Sequence, residues 1–330
     1  MNFDLTEDQR TIKDTAREFL GSRFRPAKLR EAAEAATYDD GAWREIAELG
    51  WPGIAVPEEN GGQGLGELEL VLLMEELGYA CAPTPFFGTV AAALALTHAG
   101  SDAQKERWLP GLASGEQTAA VGVLRDGVAA LVPDAADAGV IVLLEEDGAR
   151  LVAPSAATVE PLDAIDRTRR YARVRAEGGE ELPGDVPGAR DRICVALAGE
   201  LTGLAQRTME MAVAYAKERH QFGRPIGAYQ AVSHRCAQML LEVEGARSLS
   251  YWAAWTADAE PETLPAAAAM AKAYASDAGW RVTASSLQVH AGIGFTWEHD
   301  LHFFLKRAKT DGHLLGSATE HRARLASLTT

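Results

Sequence analysis

At 330 residues, 47% of them hydrophobic, the chain is long enough to bury a large core and to divide into two or three domains. Its 47 acidic against 32 basic residues give a formal net charge of −15, a field that opposes non-specific binding to nucleic acid or to an anionic membrane surface. Three widely spaced cysteines, Cys81, Cys194 and Cys236, form no CxxC pair, which argues against a disulfide framework or a zinc site and suits a reducing cytoplasm.

The opening MNFDLTEDQR lacks the basic stretch and apolar run of a signal peptide, so the mature protein is expected to start here. From Leu5 to about Gly115 apolar residues recur at helical spacing, as in Ile12, Ala16, Phe19 and Leu20, and again in Leu70, Leu73, Met74 and Leu77. Thr6 before EDQ predicts an N-cap, Ser101 or Asp102 predicts another, and Pro110 is expected to end the helix that the second one starts. Between these helices the prolines and glycines of Gly50–Gly66, GWPGIAVPEENGGQGLG, forbid regular helix and predict a tightly ordered loop. The Ala-rich run near Phe86–Thr97 falls short of the roughly 20 apolar residues that a membrane span requires, so no membrane helix is expected.

From Gln117 to Asp185 the texture changes to short apolar runs, AAVGVL, VIVLL and ARLVA, separated by Asp, Gly and Pro; these read as strands joined by turns. The stretch GGEELPGDVPGARD closes this segment as a linker. Beyond it, Ile193–His220, Tyr229–Ala257 and Leu264–His290, with one or two shorter pieces, predict a helical bundle. Trp252, Trp255 and Trp280 are expected on its exterior, packed against a second copy or a relative. The expected fold is thus mainly α with a small central β-domain: an N-terminal helical domain over 1–116, a truncated β-domain over 117–188 and a C-terminal four-helix domain over 189–330.

Three stretches in this order resemble motifs of the acyl-CoA dehydrogenase family. They are GIAVPEENGGQGLGELELVLLMEELG (Gly53–Gly78) followed by QKERWLPGLASGE (Gln104–Glu116), then ERHQFGRPIGAYQAVSH (Glu218–His234), then QVHAGIGFTWEHD (Gln288–Asp300). The ending WEHD is similar to a branch found in bacterial steroid and side-chain degradation. The resemblance implies an N-terminal helical domain, a central β-domain and a C-terminal four-helix domain, with FAD lying across a dimer interface. It also implies a reaction in which a carboxylate base removes the α-proton of an acyl-CoA while the β-hydrogen leaves as hydride to the flavin. Such a base must be desolvated, and the thioester oxygen must receive hydrogen bonds as it gains enolate charge.

Two positions for that base follow from the resemblance, and neither holds a carboxylate. One lies 27 residues after the glutamine of the QxxGG motif, which from Gln288 is Leu315; the other lies ten residues ahead of GLAQR, which from Gly203 is Ile193. Nearby acids are Asp191, Glu200 and Glu298. Glu200 lies two helical turns beyond Ile193 and projects from a similar face, although the plainer reading pairs it with a neighbouring arginine. Glu298 and Asp300 are expected to cap the following helix.

Flavin binding divides in a similar way. The acidic-Pro/Ala-Gly-Ser and Trp-x-Thr-Ser stretches that the family carries in its β-domain are not seen, and residues 117–185 contain no tryptophan. The set that the family supplies across the interface is present as Arg219, Phe222, Gln230, Gln288 and Gly292, with Ser317 after the missing base. A guanidinium suits a pyrophosphate, and a glycine lets backbone approach a cofactor; Ala291, in place of the first glycine of the usual pair, is expected to alter that contact. RHQFGRPIG also reads as a plain helix end and turn, GIGF lacks the βαβ context of a dinucleotide fingerprint, and His299 with His302 lacks a third metal ligand. His290 and Trp297 read as core or interface residues. The expected function is therefore a non-catalytic subunit of a heteromeric FAD-dependent acyl-CoA dehydrogenase, beside a longer homologous subunit that provides the base. The alternatives are a homodimeric enzyme with a relocated base such as Glu200 or Asp191, and a non-redox interaction protein on the same fold.

Overall fold

The computed structural model describes residues 4–328. Six helices come first: α1 (Glu7–Arg23), α2 (Pro26–Ala35), α3 (Asp40–Glu48), α4 (Glu67–Ala80), α5 (Phe86–Ala99) and α6 (Asp102–Ala113). Thr6 caps α1 reciprocally, its hydroxyl accepting from the Gln9 N–H at 3.2 Å while the Gln9 carboxamide accepts from the Thr6 N–H at 2.9 Å. At α6 the cap is Ser101 rather than Asp102, in a box with Gln104. Pro110 does not end α6, which runs on to Ala113, because a proline in the last turn forfeits only one backbone bond there. The loop between α3 and α4 is ordered as expected: the Gln63, Gly64 and Leu65 N–H groups donate to the carbonyls of Gly53, Val56 and Ile54.

Seven strands follow: β1 (Ala119–Val123), β2 (Val128–Pro133), β3 (Val140–Leu144), β4 (Ala149–Val152), β5 (Thr158–Leu162), β6 (Tyr171–Arg175) and β7 (Glu180–Glu181). They form two sheets, ordered β1-β3-β4-β7 and β2-β6-β5, with β1 and β3 parallel. The period of two decides which face meets which neighbour. Val121, Val140, Val142 and Leu144 point at the helical core, whereas Ala120, Ile141 and Leu143 point at Val132, Ala172 and Val174 of the second sheet.

The bundle consists of α7 (Val186–Glu218), α8 (Gln230–Ala259), α9 (Leu264–His290), α10 (Leu301–Asp311) and α11 (Ala318–Leu328), with a hairpin of β8 (His220–Gln221) and β9 (Arg224–Pro225) between α7 and α8. Helix α7 starts seven residues before Ile193, inside the stretch read as linker, because Asp185 caps it through the Gly188 N–H at 2.9 Å and Pro187 fits the first turn. Helices α4 and α7 cross almost backbone to backbone: a Cβ on Gly203 would lie 1.8 Å from the Glu75 carbonyl oxygen, and one on Gly78 would lie 2.1 Å from that of Glu200. That crossing fixes Glu200 at the centre of the molecule. Among the described residues no helix is long and apolar enough to cross a membrane.

Candidate functional site

Tyr215 stacks on His290 with ring centroids 4.7 Å apart, which brings the end of α7 beside the end of α9. Arg219, Phe222, Gln230, Gln288 and Gly292 consequently sit at one end of the bundle, all exposed. The Arg219 guanidinium has no acidic partner among the described residues, and a Cβ added to Gly292 would meet nothing within 4 Å. Phe222 and Gly223 form the two-residue turn of the hairpin with φ of +52° and +79°, so a phenylalanine occupies a left-handed position with its ring 93% exposed. Ala291 likewise takes a positive φ of 53° where the family pattern has glycine. Beside these, Phe295 and Trp297 are 71% and 63% exposed, so this end carries a large uncovered apolar surface with donors set into it. His290 is buried, as expected of a core residue. Trp280 is exposed as expected, but Trp252 and Trp255 are half-buried, Trp252 against the α7–α9 core.

Ser317 does not join this set. The Gly316 carbonyl that precedes it is bound to Lys272, sixteen residues before Gln288 on α9, and at ~1.5 Å per residue the two ends lie about 24 Å apart. Both the N–H and the hydroxyl of Ser317 donate to Glu320, at 2.7 and 2.8 Å, as the cap of α11.

The two base positions are occupied by hydrocarbon in different settings. Ile193 is fully buried in the core between α5, β1 and α7. Leu315 stands in the turn between α10 and α11 with φ of +61°, followed by Gly316 at +112°. Two cavities, of about 470 and 330 Å³, open on either side of this turn and share Val123, Arg125, Leu315, Gly316 and Glu320 as walls. The turn is held from inside. The buried Lys272 ammonium donates to the carbonyls of Asp311, Gly312 and Gly316 and to the Ser276 hydroxyl, at 3.0–3.4 Å, and among the described residues no carboxylate pairs with it. Burial pushes its pKa down to about 8. His321 adds a ring nitrogen 3.2 Å from the Leu315 carbonyl oxygen and stays neutral, its pKa lowered by burial to about 4.

Glu200 is 1% exposed and faces neither cavity. Arg169 donates to both of its oxygens at 2.7 and 2.6 Å, and Arg307 donates at 2.8 Å. Arg307 also reaches Asp166 at 2.8 Å and the Thr168 hydroxyl at 2.6 Å, while Arg169 reaches Asp311 at 2.9 Å. This network ties the segment between β5 and β6 to α7 and α10. Its charges close if one acid is protonated: burial and then the Glu200 charge push Asp311 up to about 8, and its second oxygen has no partner, leaving two guanidiniums against two carboxylates. Asp166 stays below the usual carboxylate range, because Arg307 and the Thr168 donors outweigh its burial. Asp191 is paired with Arg324 through both oxygens. Asp300 does not cap α10 with its side chain: it pairs with Arg30, the Glu298 carbonyl accepts from Arg30, and the Leu301 N–H donates instead to His299. No group of metal-ligating side chains forms among the described residues.

Arg169, Arg307, Asp166, Asp311 and Lys272 were not singled out from sequence. Arg307 and Asp311 lie four apart on a helix that also carries Phe303 and Phe304, a hint of a buried polar face, but nothing in the sequence paired them with residues 166–169.

Comparison with known proteins settles the family. Residues 6–116 match the acyl-CoA dehydrogenase N-terminal domain and residues 189–327 match the acyl-CoA dehydrogenase C-terminal domain, flanking the strands. The chain is 37% identical over 327 residues to acyl-CoA dehydrogenase IpdE2 of Mycobacterium tuberculosis, with 97% of each chain covered. The chain belongs to the acyl-CoA dehydrogenase family. Among solved structures it resembles a variant of the steroid acyl-CoA dehydrogenase Tcur3481–Tcur3483, with a TM-score of 0.89, 28% identity and 98% of each chain covered. It also resembles a chain of the ChsE4–ChsE5 complex from Mycobacterium tuberculosis, with a TM-score of 0.90, 25% identity and coverage of 100% and 99%. The arrangement is one-sided: one end of the bundle is open, with Arg219, Phe222, Gln230, Gln288 and Gly292 exposed, while position 315 in the turn between α10 and α11 holds a leucine and the nearby Glu320 is held by Ser317 and Arg125.

Proposed function

We propose that this chain is the non-catalytic, shorter subunit of a heteromeric FAD-dependent acyl-CoA dehydrogenase, and that its bundle end supplies the cross-interface half of a flavin site whose base and β-domain contacts belong to a longer homologous subunit. One observation carries the reading: Arg219, Phe222, Gln230, Gln288 and Gly292 face outward together, while Leu315 fills the place of the base. The residues present fit the flavin's interface half, since an unpaired guanidinium and an open glycine face are what a pyrophosphate and a close-lying cofactor need.

Arg219 offers a planar fork of donors to the pyrophosphate, and Gln230 and Gln288 offer neutral carboxamides that orient polar cofactor atoms without adding charge. The exposed Phe222 would offer its ring as an apolar cover that keeps water from the cofactor. When bound, FAD would supply the hydride acceptor for oxidation of an acyl-CoA to its trans-2-enoyl-CoA. Leu315 and Ile193 cannot take the α-proton, and Glu200 accepts three hydrogen bonds from two guanidiniums and faces neither cavity; Glu320, which walls both cavities, is held by Ser317 and Arg125, which lower its pKa to about 2 and make it a poor base. Asp191 is equally committed to Arg324.

The similarity to a steroid acyl-CoA dehydrogenase and to a two-component complex supports an acyl-CoA of steroid origin as substrate and a hetero-oligomer as the working form. The strongly negative charge and the lack of a membrane-length helix among the described residues agree with work in the cytoplasm, away from nucleic acid and membrane. The test is co-purification with a longer acyl-CoA dehydrogenase homologue followed by a visible spectrum and an acyl-CoA oxidation assay. Flavin and activity are expected only in the complex. Stoichiometric FAD and acyl-CoA oxidation by this chain alone would overturn the assignment.

A further inference from the structure

Away from the flavin-facing end, a cleft of about 430 Å³ opens between the start of α4, the end of α5, the end of α8 and the loop before α4. Four carboxyl groups line it: Glu58 and Glu59 from the loop, Glu67 from α4 and Asp258 from α8. Neither lysine nor arginine is among its walls. Glu67 lines the cleft, is 3% exposed, and carries a buried Oε1 with no hydrogen-bond partner. A buried polar atom left unpaired costs free energy, so a native structure that keeps one beside a cavity points to an occupant that completes it. Arg192 of α7 donates to the carbonyls of Ala257 and Gly188 and acts on Glu67 and Asp258 through its charge alone. Asp258 accepts from the Glu67 N–H at 2.9 Å, which ties the two acids into one wall.

A single metal ion does not suit this wall, because among the described residues no three His, Cys, Asp or Glu side chains converge as ligands. Carboxyl groups spread along a cleft with aliphatic sides from Leu65 and Leu94 suit instead a cation whose charges are separated by methylenes. We propose that this cleft binds a linear aliphatic polyamine, with its methylenes along Leu65 and Leu94 and its ammonium groups on Glu67, Asp258 and the Glu58–Glu59 pair.

The titration of Glu67 gives the site a signature. Burial, with Asp258 adding to it and Arg192 opposing it, raises the Glu67 carboxyl to about 8, so at neutral pH the empty site holds a proton there. His98, from α5, is pushed by burial down to about 4 and adds no positive charge; Asp258 is raised above the usual carboxylate range by its own burial, with the Glu69 charge from α4 adding to it against the Glu67 N–H and Arg192. An ammonium group seated on Glu67 ionises it, so each binding event near pH 7 releases close to one proton, since an acid of pKa about 8 is roughly 90% protonated there.

The experiment is isothermal titration of the full chain with spermidine at pH 7 in two buffers of different ionisation heat, with magnesium chloride as the metal control. Saturable binding at one site, with heat that changes with buffer by about one proton, is the expected result. Glu67→Gln copies the neutral carboxyl in shape and should fold as the parent does; it is expected to weaken binding at least tenfold and to remove the buffer dependence. The site-specific loss separates this cleft from the diffuse attraction that a charge of −15 exerts on any polycation. Equal affinity in Glu67→Gln, binding without proton release, no binding at millimolar spermidine, or displacement by magnesium at equal charge concentration each overturns the proposal. The flavin reading plays no part in this test, so either can fail alone.

Discussion

Phe222 is the residue whose replacement separates an interface from a surface. It holds a left-handed conformation, which costs a non-glycine residue roughly 1–2 kcal/mol, and within its own chain it recovers only an edge contact with Tyr229 at 6.5 Å, in a class of contact worth about 0.5–1 kcal/mol. Phe222→Asn relieves the strain, because asparagine tolerates this region, and forfeits the ring contact. The isolated chain should therefore melt at the same temperature or up to roughly 2 °C higher. In the heteromer the 93% exposed ring becomes buried, and its loss should cost about 2 kcal/mol, or roughly thirtyfold in affinity for the partner or for FAD. Differential scanning fluorimetry of the chain and flavin titration of the complex read the two effects separately. A clear fall in the melting temperature of the isolated chain, or an unchanged affinity in the complex, would refute the reasoning.

Glu200→Gln removes the charge that two buried guanidiniums share and should cost about 3–5 kcal/mol in urea unfolding, whereas Asp311→Asn, which imitates an acid already protonated, should cost under about 1 kcal/mol at pH 7. Because the folded pKa of Asp311 is raised, its contribution is present in acid and lost as pH rises towards about 8, and Asp311→Asn should lack that slope. Lys272 works the other way: its folded pKa is lowered from 10.5 to about 8, so its contribution grows from pH 8 to about 10.5 and should vanish in Lys272→Met, a substitution that also frees the Leu315–Gly316 turn to fray in hydrogen exchange. A thiol reagent should label half-buried Cys236 in the native chain, but not Cys81 or Cys194, whose thiols burial raises to about 12 and 11. Leu315→Glu should fold within about 1 kcal/mol of the parent and still oxidise no acyl-CoA by itself, as a stopped assay on the isolated chain would show.

The layout was legible from periodicity because each layer keeps its own spacing. Ile12, Ala16, Phe19 and Leu20 mark one face of α1, and in β1 and β3 alternate residues divide cleanly between two cores. Boundaries were less legible where a breaker residue had a second use, as with Pro110 inside the last turn of α6 and Pro187 inside the first turn of α7. The exposed set at the bundle end could be named from the motifs, since it lies in two short continuous stretches. The buried ionic network could not, because it joins residues 166–169 to Glu200 and to Arg307 and Asp311, more than a hundred positions away, and charge in a linear sequence reads as solvated surface until a fold encloses it.

That network also bears on what holds the turn at position 315, where this chain carries a leucine. The turn carrying Leu315 is fixed through backbone carbonyls, by Lys272 from α9 and by His321 from α11, and α10 leading into it is anchored by Arg307 and Asp311. None of these contacts involves the side chain at 315. The side chain at 315 can therefore change without touching the contacts that hold the turn, although any residue other than glycine there keeps the left-handed backbone of Leu315. The exposed bundle end is constrained differently. Phe222 and Ala291 keep left-handed backbone at a cost in stability, and Arg219 keeps an unpaired charge, none of which the isolated chain needs. Backbone strain is present at both ends, and what separates them is exposure: Phe222 and Ala291 face solvent, whereas the strained Leu315 turn is held from inside by Lys272 and His321.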